Sequence, residues 1–323
     1  MMERIIMGGP FGLGLPEVGN FPYTESPCCL FVNSGRAGLQ MILENLEEKP
    51  RRVLVPRFVC DTVLQPMKRL GIPVCRYHCD DQLRPELPYD LGEDDVLLLV
   101  NYFGFTGKAA EQAARQHRGK SIIDATTALF SQTLRPCFYS PRKFCGVSDG
   151  GVACNPAAFP VVPGDRDTSA VKALFLLESI EGDSGVLGPL VDVAEKDLNG
   201  EAKAMSRLTR RLLAAYDFAE IERRRLENYA ALHRLLGGIN RLELPAEAPS
   251  APMCYPLVSG IPDLHDSLLD EGIALPLFWP EVVKATRADS VENRLARTLL
   301  PLPLDQRYTP QDMERLAGLI LGK

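Results

Sequence analysis

Short apolar runs alternate with amphipathic stretches through the first half of the chain. Residues 52–56 (Arg-Val-Leu-Val-Pro), 73–77, the wholly apolar 96–100 and 121–124 read as strands of four or five residues. Helical patterns lie between them. Leu39, Ile42, Leu43 and Leu46 recur at intervals of three and four behind Ser34, a residue type suited to capping. Val63, Met67 and Leu70 form a second stripe that stops at Gly71, and a polar helix covers about 109–116. Two more short strands are expected near 136–139 and 151–154. Strands alternating with helices predict a mostly parallel sheet covered on both faces.

The pattern turns helical from about residue 166. Met205, Leu208 and Leu212 form one stripe, and a long charged helix carries Ile221, Leu226, Tyr229, Leu232 and Leu236 before Gly237-Gly238. Arg223-Arg-Arg225 sits among glutamates on that helix and reads as a solvated face. Beyond 250 come a strand (253–258), a helix (263–270) and a last helix after Tyr308-Thr-Pro310. The expected organisation is a Gly/Pro-rich arm over 1–30, a large α/β domain over 31–215 and a smaller α+β domain over 216–323.

Composition narrows the possibilities. The chain has 323 residues, 46% of them apolar, enough for a full core. A formal net charge of −6 excludes the broad basic surface that nucleic acid or an anionic membrane requires. Nine cysteines, an odd number, show no disulfide framework and read as reduced thiols. Cys75, His78 and Cys79 are the only metal-like cluster and lack a second ligand pair at zinc spacing. The opening residues lack the apolar stretch of a signal peptide, Gly8–Gly14 follows no strand as a dinucleotide turn would, and no run approaches the roughly 20 apolar residues of a membrane span. A soluble, cytoplasmic protein is expected.

In an open α/β sheet, ligands sit at the carboxyl ends of the strands. Three segments should deliver polar groups there. Asn33-Ser-Gly-Arg-Ala37 is a tight turn into a helix; it is either an ordinary cap with a surface arginine or an anion site in which Arg36 adds a charged bond. Asp124 ends a strand, as a turn residue or as a carboxylate with a cationic partner. Ser140-Pro-Arg-Lys143 precedes the Asp149-Gly-Gly151 turn, so Lys143 is either a surface cation or an amine activated by burial. Phe278-Trp279-Pro280 is an aromatic patch, either core or substrate entrance.

Taken in order, these segments resemble the pyridoxal 5′-phosphate (PLP)-dependent transferases of fold type I, and within them the DegT/StrS type of sugar aminotransferases. The resemblance rests on Ser34-Gly-Arg-Ala-Gly-Leu39, Val55-Pro56, Asn101-Tyr-Phe-Gly104, Asp124-Ala125, Lys143 with Asp149-Gly-Gly151, and Leu300-Pro-Leu-Pro-Leu304. It runs over most of the chain. It implies an α/β fold with a seven-stranded-type, mostly parallel sheet and a smaller C-terminal α+β domain. It also implies that Lys143 carries PLP as a Schiff base and shuttles a proton, that Asp124 faces the pyridine nitrogen, that Gly35, Arg36, Ala37 and Ser140 surround the phosphate, and that Cys60 lies beside the ring. An amino-acid donor, a keto acceptor such as a keto-sugar, and a homodimer follow from the same resemblance.

The chain departs from the family pattern at definite points. Phe138 stands where the usual phosphate serine would be, Cys60 where a ring-stacking aromatic would be, and Thr127 where a His or Gln is common. The Gly-Tyr-Asn-Tyr-Arg segment that reaches into the partner's site has no clear counterpart; Asn199 and Ser206 are the nearest candidates. The rival readings are elimination on the same scaffold, against which Lys143 argues because sugar dehydratases of the family tend to carry histidine there, and a homologue that binds PLP without catalysis.

Overall fold

A computed structural model describes residues 13–322 apart from 89, 118, 183 and 199, with the side chains of 184–187 and 197 also outside the description. The asparagine at 199 and most of the Gly8–Gly14 segment therefore lie outside the described residues. Strand β1 (Cys29–Val32) leads through the Ser34 cap into α1 (Gly35–Glu44). There follow β2 (Arg52–Pro56), α2 (Gln65–Leu70), β3 (Val74–Cys79), β4 (Pro85–Glu86), β5 (Asp95–Val100), α3 (Gly107–Gln116), β6 (Lys120–Asp124), β7 (Cys137–Tyr139) and β8 (Gly151–Cys154). Then come α4 (Leu174–Glu181), α5 (Ser184–Asp197), α6 (Arg207–Ala215), α7 (Phe218–Leu236), β9 (Tyr255–Val258), α8 (Leu264–Asp270), α9 (Pro280–Ala285), α10 (Val291–Thr298), β10 (Leu299–Leu302) and α11 (Pro310–Leu321).

The main sheet has eight strands in the order β1-β8-β7-β6-β5-β2-β3-β4. The expected seven-stranded type is exceeded by β4, a two-residue strand antiparallel to β3 at one edge. The central run from β3 to β7 is parallel; β8 and β1 add antiparallel pairs at the other edge. Every residue of β5 is buried, as a central parallel strand covered on both faces requires. One apolar cluster contains Leu39, Ile42, Val53, Val55, Val96 and Leu98; another contains Leu54, Leu97, Leu99, Ile123 and Val152. Alternate residues of one strand enter opposite clusters, the period-two signature of a sheet with a core on each side.

Helix α7 belongs to two cores. Phe218 and Ile221 pack beside the main sheet, whereas Tyr229, Leu232 and Leu236 join a third cluster with the β9–β10 ribbon and α11. Arg225 sits where the helix passes from one to the other. It is 2% exposed, so its expected place on a solvated face is corrected. Its guanidinium donates to the carbonyls of Pro252 and Met253, both at 3.0 Å, and lies 4.7 Å from the Phe144 ring centroid. Arg223 and Arg224 do face outward, paired with Glu220. The Met205, Leu208, Leu212 stripe is corrected as well: α6 begins at Arg207 and turns Thr209 and Leu213 inward.

Candidate active site

The carboxyl ends of β6 and β7 and the loop after β2 open into a cavity of about 580 Å³. Asp124, the last residue of β6, is 5% exposed. Its Oδ1 accepts the Thr126 N–H at 2.9 Å, closing a turn that aims the carboxylate at the cavity wall. Lys143 ends a single helical turn, Pro141–Lys143, whose Lys143 N–H bonds the Ser140 carbonyl at 3.2 Å. Its amine donates to Thr126 Oγ1 at 3.0 Å, so Thr126 links lysine and aspartate.

The electrostatics of the two groups oppose one another. Lys143 is reachable from the cleft but enclosed by protein elsewhere, and that desolvation lowers its pKa; Asp124 is the main influence holding it up. Desolvation raises Asp124 above the usual carboxylate range, while Lys143 and the Thr126 bonds pull it back. Burial thus drives both toward neutrality and their proximity restrains both.

The turn before α1 closes another side. Ser34 Oγ caps the helix by accepting the Ala37 N–H at 3.1 Å. Ala37 is buried with its N–H spent on this cap and is not on the cavity wall, whereas Ser34, Gly35 and Arg36 are. A Cβ on Gly35 would stand 2.9 Å from Thr126 Cγ2. Gly151 packs still closer, since a Cβ there would fall 2.3 Å from the Ser34 carbonyl. Asn33 O accepts the Gly150 N–H at 2.7 Å. Gly150, at φ 130°, adopts a backbone that glycine tolerates. The turn is anchored from behind by Asp149, fully buried, which accepts from Ser206 N at 2.8 Å, from Ser206 Oγ at 2.7 Å and from Thr209 Oγ1. Ser206 therefore serves this buried anchor.

Arg36 and Arg142 line the cavity together, and Glu195 of α5 pairs with both. Arg142 Nε is buried without a hydrogen-bond partner. Cys60 is on the wall with its thiol 3.1 Å from Thr62 Oγ1. Thr127 is committed to the backbone, donating to Asn101 O at 3.0 Å and accepting the Phe103 N–H at 3.0 Å. Phe278 and Trp279 are both wall and core: they line the cavity and stack on Phe103, with Trp279 edge-on to Phe58 at 4.7 Å. A larger cleft of about 1170 Å³ runs between α3 and residues 243–250, away from Lys143; Glu111 on its wall is already bonded to Arg135 at 2.9 Å.

The donors present fit PLP. A desolvated amine and a buried carboxylate share one wall, and a helix start, a hydroxyl and two guanidiniums, one with an unpaired Nε, stand around the same cavity.

No protein-family model and no curated protein matches the sequence. Solved structures do match. The sugar aminotransferase CalS13 from Micromonospora echinospora aligns with a TM-score of 0.63 at 18% identity, over 92% of this chain and 87% of that one. PseC from Helicobacter pylori, an aminotransferase involved in the biosynthesis of pseudoaminic acid, gives 0.63 at 12% identity over 91% and 86%. The E. coli GDP-4-keto-6-deoxy-D-mannose-3-dehydratase with bound hydrated PLP gives 0.60 at 11% identity over 90% and 87%. This chain has their fold. It is the α/β architecture of the fold type I PLP-dependent transferases, as the sequence led one to expect.

Within that fold the cavity brings together Gly35, Arg36, Cys60, Asp124, Ser140 and Lys143, six of the seven expected site residues, and leaves out Ala37. Sequence reasoning passed over Thr126, Arg142 and Glu195. Thr126 carried a usable signal, because a threonine two residues after a strand-end aspartate fits an Asx turn. Glu195 carried none, since its pairing depends on how α5 returns to the cavity. Among the described residues no helix is long and apolar enough to cross a membrane.

Proposed function

We propose that this chain is a PLP-dependent aminotransferase that moves an amino group from an amino-acid donor to a keto acceptor, a keto-sugar. The observation that carries this is the cleft-facing Lys143 amine and the buried Asp124 carboxylate on one cavity wall, bridged by Thr126. The sugar aminotransferases that share the fold support the choice of acceptor.

Lys143 would hold the cofactor covalently, Asp124 would accept the pyridinium N–H, and Gly35, Arg36 and Ser140 would bind the phosphate. Cys60 offers a polarizable surface beside the ring where relatives of the DegT/StrS type have an aromatic. Bound PLP supplies a sink for the electron pair left when the donor loses its Cα proton. Lys143 Nζ, whose pKa is lowered by desolvation, would take that proton and return it one step later. Asp124 would face the pyridine nitrogen and stabilise positive charge there. The donor leaves as its keto acid and the acceptor as an amine, so no oxidant is consumed. Polysaccharide or secondary-metabolite synthesis is the setting such an amino-sugar product fits.

The protein works as a cytoplasmic homodimer in this proposal. Leu174, Leu177 and Ile180 of α4 and Val191 and Val193 of α5 are exposed, an apolar surface suited to a second copy. Sedimentation with PLP bound tests this, and a monomer at micromolar concentration refutes it.

The test of function has two parts. Borohydride reduction with PLP should fix the cofactor to the peptide containing Lys143, and labelling of another lysine overturns its role. L-Glutamate should then convert the bound cofactor to its amine form in a single turnover. Cofactor attachment without this half-reaction would favour a homologue that only binds PLP.

A further inference from the structure

Three cysteines lie in one row across the edge of the main sheet. Cys154 on β8 is the register partner of Cys29 on β1 and, on its other side, of Cys137 on β7. The Cys29 and Cys154 sulfurs are 3.1 Å apart. None of the three touches the cavity that holds Lys143.

Backbone pairing decides which two can join. The Cys29 N–H bonds the Ser26 carbonyl and the Ser26 N–H bonds the Cys29 carbonyl, each at 3.0 Å. Both Cys29 backbone groups therefore turn away from β8, which makes Cys29 and Cys154 a non-hydrogen-bonded antiparallel pair. Such pairs hold their Cα atoms about 4.5 Å apart with side chains close, inside the range a disulfide spans. By the same alternation Cys154 turns its backbone groups toward β7, so Cys137 and Cys154 form the wider type of pair. Cys137 has another partner, donating its S–H to the Tyr139 hydroxyl at 3.3 Å. Cys154 is only partly covered, and Cys28, next to Cys29, is exposed.

We propose that Cys29 and Cys154 form a redox site, a thiol pair that low-molecular-weight disulfides oxidise to a cross-strand disulfide. The Cys154 thiolate attacks one sulfur of the external disulfide, forming a mixed disulfide and releasing one thiol. Cys29 loses its proton and attacks the Cys154 sulfur, releasing the second thiol. The two protein thiols lose two electrons and two protons, and the external disulfide gains them. The close Cys29 thiol favours a thiolate at Cys154, whose pKa is lowered by the neighbouring thiols. The product bond ties β1 to β8, the strands whose opposite ends carry the Ser34 turn and the Gly150-Gly151 turn.

The experiment treats the full-length PLP-loaded protein with glutathione disulfide, blocks free thiols, and maps peptides without reduction. The expected result is loss of two hydrogens and a link between the Cys29 and Cys154 peptides. That link should persist in Cys137→Ser and Cys28→Ser and vanish in Cys29→Ala and Cys154→Ser. Oxidation should also raise the unfolding midpoint of the wild type by roughly 5–10 °C, because the bond closes a long loop. A link from Cys154 to Cys137 or Cys28 overturns the pairing. A stable glutathione adduct on Cys154, or no change under conditions that modify Cys28, overturns the site. A correct link with no rise in the midpoint overturns its role in tying the native strands.

Discussion

Gly151→Ala tests whether the Gly-Gly turn shapes the anion site. A Cβ at this position would lie 2.3 Å from both C and O of Ser34 and 2.8 Å from the Gly35 nitrogen. Contacts of this kind need about 3.5 Å, so the Ser34 turn must retreat by about 1 Å. The atoms met are backbone, and the turn cannot yield freely: Ser34 caps α1 and Asn33 holds Gly150. Overpacking of this kind costs roughly 1–3 kcal/mol of stability. The cofactor should suffer separately. If the retreat removes one charge-assisted bond between the helix start and the phosphate, about 1.5–3 kcal/mol of binding is lost, roughly a ten- to hundredfold rise in the PLP dissociation constant. Absorbance titration of apoprotein with PLP measures the second effect and chemical denaturation the first. Gly164→Ala is the control, because nothing lies within 4 Å of its added Cβ. Wild-type PLP affinity in Gly151→Ala would show that the phosphate does not depend on this turn.

Asp124→Asn should lower transamination by orders of magnitude with a smaller loss of PLP affinity, and near-normal turnover in single-turnover kinetics would make Asp124 purely structural. Arg225→Met should cost at least about 2 kcal/mol in denaturant unfolding, since the Pro252 and Met253 carbonyls lose their donor at about 1–3 kcal/mol each; an unchanged midpoint would contradict this. The Lys143 pKa is lowered by desolvation, so below the folded value the native state bears a partly desolvated cation that the unfolded chain solvates fully. Stability should therefore rise with pH from the folded pKa toward the ordinary lysine value of 10.5. In an Asp124→Asn apoprotein background, adding Lys143→Met should stabilise at low pH, with the gain shrinking as pH rises above the folded pKa and gone above 10.5; a gain independent of pH would exclude the charge as its cause.

The strands were legible because each is short, apolar and bounded by turn residues: Arg52–Pro56 and Gly151–Cys154 occur as expected, and β5 differs from its expected span by one residue. What failed did so for physical reasons. Glutamates around residues 220–227 mark a solvated face, but a face is a property of angle, and Arg225 lies on the turn that meets the 252–253 carbonyls. Its partners are backbone atoms, which leave no trace in residue identity. The expected stripe on α6 assumed that Met205 was helical; Ser206 caps instead, and the register moves to Thr209 and Leu213. Helices α9 and α10 were missed because each is only six or eight residues long, too short to show a helical period in the sequence. At the site, the Lys143, Asp124 and Gly35 segments stood out individually as ambiguous signals, and only their order gave them weight. The structure adds Thr126, whose two hydrogen bonds link lysine and aspartate.

That bridge bears on how the site can change state. Desolvation pushes Lys143 and Asp124 toward their neutral forms, and each is the other's largest charged restraint. A second cation near Asp124 alters the balance in one direction only. It takes over the stabilisation of the carboxylate, which stays ionised, and it removes the incentive for Lys143 to hold its proton. A pyridinium nitrogen is such a cation. The arrangement is therefore self-consistent with the chemistry proposed for it, because the group that needs Asp124 ionised is also the one that leaves Lys143 free to act as a base. Cys60 and Thr127 lie outside this charge relation. On the proposed function, their departures from the DegT/StrS pattern would change what lies against the ring and leave the charge relation between Lys143 and Asp124 intact.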